Sequence, residues 1–288
     1  MDTVLLIDCC TDLPRSYVEE NELPFVSLVC NFKGQEYKDD FGKTLSYKEF
    51  YTAVRSGEMP STSQVNTYVY TEVFKKYAAE GRPVVYLGFS SALSGSLNSA
   101  LLAKDMVCEE MKDADITVID SKSASLGEGL LVYYANEMLK AGASKDEVVS
   151  WLETNKLRVN HWFTVDDLGH LKRGGRLSGT AAFVGTLLDI KPILKVDDEG
   201  RLIPVSKVKG RKKSLKSLFE MLQENIEDPE EQVIAISHGD CTADAEYLKE
   251  MIQKEFKVKD VMINEIGPVI GSHAGPGTVA LFFMGKSR

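Results

Sequence analysis

The first half of this 288-residue chain alternates short apolar runs with amphipathic helical patterns, and that rhythm narrows its fold more than any other feature. Residues 3–8, 25–31, 83–89 and 115–120 have the apolar character of buried strands. Residues 67–79, 95–111 and 126–141 carry helical patterns. Ser46-Tyr47-Lys48-Glu49 and Ser144-Lys145-Asp146-Glu147 have the spacing of capping boxes that open two more helices. Parallel strands need crossovers of about a dozen residues, usually helical. The order therefore predicts a parallel, Rossmann-like sheet with helices on its faces.

Beyond about residue 160 the rhythm changes. Residues 162–165, 191–196, 201–208, 232–238, 258–265 and 279–284 read as strands, while helices fall at 213–226 and 242–256. Asp197-Asp198-Glu199-Gly200 reads as a hairpin turn. The expected division is an N-terminal α/β domain over 1–158 and a C-terminal α+β domain over 159–288. No linker rich in Gly, Pro or Ser separates them, so a ligand tunnel is expected between the two.

Composition excludes several functions. A net charge of −9, from 34 basic and 43 acidic side chains, gives no basic face for nucleic acid. No apolar run approaches a membrane span and no export signal opens the chain, so membrane contact is expected to be transient at most. Five cysteines with no C-x-x-C pair fit reduced thiols in a cytoplasm. His161, His170, His238 and His273 have no metal-ligand spacing, and neither a metal nor a cofactor is expected.

Three stretches crowd hydroxyls and glycines where helices should begin: Pro60-Ser61-Thr62-Ser63-Gln64, the run from Ser90 to Ser96, and the Gly267-to-Gly277 segment, read as a turn. Ser and Thr hydroxyls beside free helix N–H groups make a site for an anion, here a carboxylate or phosphate that is held rather than transformed. Helix capping uses the same residues. Thr62, Ser63, Ser91, Ser94, Gly95, Ser96, His273 and Gly275 are the ligand-binding candidates, and none is given a catalytic role.

Gly88-Phe89-Ser90-Ser91-Ala92 offers a competing reading as a nucleophile elbow, with Asp166 or Asp167 and His273 completing a hydrolase order around Ser90 or Ser91. Nucleotide signatures are weak. Gly42-Lys43-Thr44 lacks the earlier glycine of a P-loop, and Gly275-Pro276-Gly277 leaves no room for a following βαβ unit. Basic loops at Lys172-Arg173-Gly174-Gly175-Arg176 and at residues 207–213 make Arg173, Arg176 and Arg211 candidates for docking a partner. The apolar stretch 183–190 would suit the lining of a long apolar ligand.

Taken in order, Asp8-Cys9-Cys10-Thr11-Asp12-Leu13, Pro60-Ser61-Thr62-Ser63-Gln64, Ser90 to Ser96, Asp120-Ser121 with Ser125-Leu126-Gly127, Arg173-Gly174-Gly175-Arg176-Leu177-Ser178, Lys191-Pro192-Ile193-Leu194 and residues 266–277 resemble the DegV family of bacterial fatty-acid-binding proteins. That family includes the binding subunit of bacterial fatty-acid kinase. The resemblance covers essentially the whole chain. It implies a long-chain fatty acid held between two domains, its carboxylate at Thr62 and Ser94 with His273 close by. It also implies that the acid is presented to a separate ATP-dependent kinase subunit, which makes an acyl phosphate. Arg173 matches a family position facing the head group or the kinase. One departure is Cys9, where the family commonly has Ser, which replaces a hydroxyl with a weak hydrogen-bonder.

Overall fold

The computed structural model describes residues 2–178 and 189–288. Its first sheet is wholly parallel, in the order β2 (Phe25–Val26), β1 (Val4–Asp8), β6 (Val84–Gly88), β7 (Ile116–Asp120). Strands β1 and β6 are buried at every position, as expected where helices cover both faces. The covering helices include α3 (Thr67–Ala79), α4 (Ser96–Glu110), α5 (Leu126–Lys140) and α6 (Lys145–Asn155). Helix α1 (Arg15–Glu20) is short and follows Pro14.

A three-stranded antiparallel sheet stands apart, in the order β4 (Gln35–Lys38), β3 (Val29–Phe32), β5 (Ser61–Ser63). Helix α2 (Tyr47–Arg55) lies between β4 and β5 in sequence and is capped by the Ser46 hydroxyl on the Glu49 N–H. Two sequence expectations change here. The run 25–31 splits into β2 and β3, which join different sheets. The Ser-Thr-Ser segment is strand rather than a helix-start loop, because β3 offers it an open edge.

The second sheet has six strands: β10 (Leu202–Lys209), β9 (Ile190–Val196), β8 (Val159–Thr164), β13 (Val279–Met284), β11 (Val233–His238), β12 (Asp260–Glu265). Only β11 and β12 pair in parallel. Helices α8 (Arg211–Asn225) and α9 (Thr242–Glu255) cover one face, burying Leu215, Leu218 and Leu248 against Val279, Leu281 and Phe283. The alternate residues Ala280 and Phe282 turn to the opposite face and join the main core with α5. Helix α5 thus lies between the two large sheets, touching β1, β8, β11 and β13.

The Gly267-to-Gly277 segment is not all turn. It contains helix α10 (Pro268–Ala274), started by Pro268 in the first turn and ended by Gly275 at φ +79°. Helix α10 packs on α7 (Leu168–Arg173). Most of the apolar stretch 183–190 lies outside the described residues.

Candidate functional site

The parallel sheet reverses its winding between β1 and β6, since the chain runs from β1 out to β2 before returning to β6. Open α/β sheets bind ligands outside the strand ends at such a point. The loop leaving β6 there carries Phe89, Leu93, Ser94 and Gly95 to the wall of a cavity. The facing wall comes from the second sheet, through Phe163, Ala280 and Phe282, and from α10. Ile266, just before α10, and Val269, Ile270, His273 and Ala274 within it line the cavity, with 266, 269, 270 and 273 at helical spacing. Empty space there amounts to about 1010 Å³, including its open mouth.

One end of the cavity is polar. The Thr62 hydroxyl lies 2.7 Å from His273 Nε2. Ser94 Oγ contacts Ser96 Oγ at 3.0 Å and accepts from the Ser96 N–H at 3.2 Å, so it caps α4 from within the cavity wall. A Cβ at Gly95 would meet the end of the Gln64 side chain, which packs against it. Arg176 also lines this end and donates through Nε to the Leu93 carbonyl at 3.1 Å. Burial, then the nearby Arg176 charge, pushes the His273 pKa down to about 4, so the imidazole is neutral at pH 7. Among the described residues its Nδ1 is buried without a partner, against Gly174.

Of the sequence candidates, Thr62, Ser94, Gly95, His273 and Arg176 surround the cavity. Ser96 sits just behind, its hydroxyl accepting from the Val65 N–H at 3.1 Å. Ser63 is exposed and points to Asn31. Ser91 is exposed, bonded to Asp120 and Lys122. Gly275 shapes the turn after α10 against His170. Arg173 lines an outer cleft that His170, Arg176, Met59 and His273 share. Arg211 is not free to dock, being paired with Asp244 at 2.9 Å and near Asp166 at 3.8 Å. Arg176, expected on a docking surface, lines both the cavity and the outer cleft.

The hydrolase arrangement does not assemble. Ser90 Oγ donates to the Gly200 carbonyl, Asp166 pairs with Lys191, and Asp167 caps α7. None of them meets His273, whose Nε2 is on Thr62. Cys9 is buried and accepts at 3.2 Å from the N–H of Leu28, a cavity-lining residue, without lining the cavity itself.

The sequence reading missed a set of buried acids behind the cavity. Asp12 accepts from the Gly267 N–H and Asp39 from the Val269 N–H, so both hold the start of α10. Asp8 accepts from the Phe89 N–H and the Tyr86 hydroxyl. Glu128 is buried with neither oxygen partnered. Burial pushes Asp12 up to about 8, Asp39 up to about 7, and Asp8 and Glu128 upward as well. The capping contact with α10 was invisible while that segment read as turn. The 266, 269, 270, 273 spacing was the available signal.

The DegV family model matches residues 3–286. The chain belongs to the DegV family. A DegV domain-containing protein of Clostridium perfringens is 51% identical over 99% of this chain and 98% of its own length. Among solved structures, a DegV family protein of Thermus thermophilus with fatty acid binding is 31% identical, with TM-score 0.89 over 99% of this chain and 100% of its own. DegV of Bacillus subtilis, a fatty acid binding protein, is 30% identical, with TM-score 0.85 over 99% and 100%. A stearic acid-binding protein of Eubacterium ventriosum is 28% identical, with TM-score 0.86 over 99% and 98%. These DegV neighbours share the mixed architecture seen here, a parallel sheet joined to a second sheet with helices. Among the described residues, no helix is long and apolar enough to cross a membrane.

Proposed function

We propose that this chain binds a long-chain fatty acid, with its carboxylate at Thr62, Ser94 and the start of α4 and its tail in the cavity between the sheets. The observation that carries this is a hydroxyl–imidazole pair, Thr62 with His273, at the polar end of an otherwise largely apolar cavity. We assign the proton of neutral His273 to Nε2, donating to Thr62, because a bare Nδ1 against Gly174 is the less costly orphan. The Thr62 hydrogen is then free for the ligand carboxylate. Fatty-acid-binding relatives of the same fold support the ligand class.

Charge-assisted hydrogen bonds contribute roughly 1.5–3 kcal/mol each. Two or three orient the head. The tail supplies the rest at about 0.8 kcal/mol per buried CH₂, on the order of 10 kcal/mol gross for sixteen carbons. Association and ordering offset part of that.

The bound acid is presented, on this reading, to a separate ATP-dependent kinase subunit in the cytoplasm, and Arg173 at the outer cleft is the contact. Native mass spectrometry of freshly purified protein tests the binding step, with an added mass equal to a fatty acid expected. A Thr62→Ala, Ser94→Ala double variant then tests the head group. Unchanged acyl-phosphate formation by that variant with a kinase subunit overturns the assignment. Arg173→Ala is expected to retain the acid while slowing its phosphorylation.

A further inference from the structure

The cavity wall is apolar beyond its head-group end except at a few points, and one of them is built in an unusual way. Ser125 precedes α5 at the N-cap position, yet its hydroxyl makes no capping bond. It contacts Asp12 Oδ2 at 2.5 Å and Ser237 Oγ at 2.9 Å instead. To hold it there, Ser125 adopts φ 55°, ψ −147°, a region close to one that only glycine occupies without strain. Ser125 and Ser237 both line the cavity, and both are buried.

A hydroxyl has one proton, so the three groups form a directed chain. With Asp12 protonated, Asp12 donates to Ser125, Ser125 to Ser237, and the Ser237 hydrogen is left for the cavity. With Asp12 ionised the chain reverses and Ser237 offers lone pairs. A hydroxyl on a ligand can donate and accept, so it matches either state. The acid cluster favours the protonated state: among the described residues none of Asp8, Asp12, Asp39 or Glu128 forms an ion pair, and burial holds Asp12 at about 8.

The position along the ligand follows from α10. Asp12 binds its first N–H at Gly267, and His273 lies six residues on. At 1.5 Å per residue the Gly267 end, which Asp12 links to the serine pair, lies roughly 9 Å along the segment from His273, so the pair falls away from the head-group end and beside a long acyl tail. Ser237 stands opposite Ala280 in the sheet, and Ala280 opposite Phe163. The pair is thus a polar point set among apolar neighbours.

We propose that Ser125 and Ser237 form a mid-cavity subsite for a hydroxyl, and that the ligand class of this chain includes long-chain acids hydroxylated at mid-chain. The inference rests on the fatty-acid reading above.

The test is competition against a labelled fatty acid with three probes: stearic acid, a mid-chain hydroxystearic acid, and the isomer hydroxylated at the chain end. The wild-type protein is expected to bind the mid-chain isomer at least as tightly as stearic acid, and the chain-end isomer more weakly. Ser237→Ala is expected to weaken the mid-chain isomer about tenfold while leaving stearic acid unchanged or tighter. Ser237→Cys, close in size, serves if the alanine variant fails to fold. Equal binding of the two hydroxy isomers overturns the subsite, as does a parallel loss for all three probes in the variant. Stearic acid that binds without discrimination sinks this inference alone. Stearic acid that fails to bind removes the fatty-acid reading with it.

Discussion

The two walls of the cavity are made in opposite ways. The N-terminal wall is loop, the segment after β6 and the β5 strand, and it supplies hydroxyls and the start of α4. The C-terminal wall is regular structure, alternate side chains of β8 and β13 together with one face of α10. Loops at parallel strand ends can aim a few polar atoms at one point, whereas a sheet face presents area. On the proposed function, the first wall would set where a head group sits and the second how tightly a tail is held. His273 and Arg176 are exceptions, residues of the polar end carried by the C-terminal half.

That division breaks most sharply at Ala280. Its side chain faces the cavity between Ser237 and Phe163. Ala280→Trp would fill space that three or four tail methylenes need, about 3 kcal/mol, so affinity should fall roughly a hundredfold. Titration with a labelled fatty acid measures it, and circular dichroism verifies the fold. An Ala280→Trp protein that binds normally would show that the tail lies elsewhere.

Chain-length dependence probes both walls together. Affinity should rise about fourfold per added CH₂, from about 0.8 kcal/mol each. Ser94→Ala should lower every affinity by about tenfold while leaving that slope intact, since the lost hydroxyl acts on the head group alone. A change in slope would mean that Ser94 shapes the tail path, against the division of labour.

The buried acids behind the second wall predict a pH effect on stability. Asp12 and Asp39 titrate higher in the folded chain than in the unfolded one, so the unfolded state has lost their protons well before the folded state has. Their stabilisation is complete at low pH and is lost as pH rises through about 7 and 8. Neutral His273 works the other way, raising stability between about 4 and the unfolded value near 6.5. Above pH 6.5 the carboxyls act alone, and Asp12 should account for a fall of about 2 kcal/mol by pH 8. Denaturant titrations at several pH values would show it. Asp12→Asn should flatten the curve, and a wild-type protein equally stable at pH 6.5 and 8 would refute the assignment.

Much of this was legible from sequence, for identifiable reasons. Periodicity alone recovers the strands at 3–8 and 83–89 and the helix at 67–79, because each runs long enough to repeat its pattern. The hydroxyl-rich stretches were visible as such, and the family resemblance singled out Thr62 and Ser94 within them, both of which line the cavity. What stayed hidden depended on tertiary neighbours. Helix α10 is rich in residues that usually mark turns, and the carboxyls of Asp12 and Asp39 that hold its start come from distant segments. Ser237 belongs to a strand whose buried alternation gives no hint of a hydroxyl partner. Arg211 looked like a free cation until Asp244 and Asp166 were placed beside it.

The smallest effect is expected three residues from one of the larger ones. Ser91 and Ser94 leave the same strand end, and in sequence they are equivalent members of one hydroxyl-rich run. In the fold Ser94 enters the cavity wall, while Ser91 turns outward and donates to Asp120, with Lys122 Nζ at 3.2 Å from its oxygen. Burial tends to raise the Asp120 pKa, but hydrogen bonds from Lys122 and Ser91 outweigh it and lower the pKa, so the carboxylate beside Ser91 is a weak base for its proton. Ser91→Ala should therefore change fatty-acid affinity by less than about twofold, within the range of a surface substitution. A fluorophosphonate probe should leave the wild-type chain unlabelled. Labelling at Ser91, or a Ser91→Ala loss matching that of Ser94→Ala, would move the site to the outer face of the loop and dissolve the contrast between the two walls.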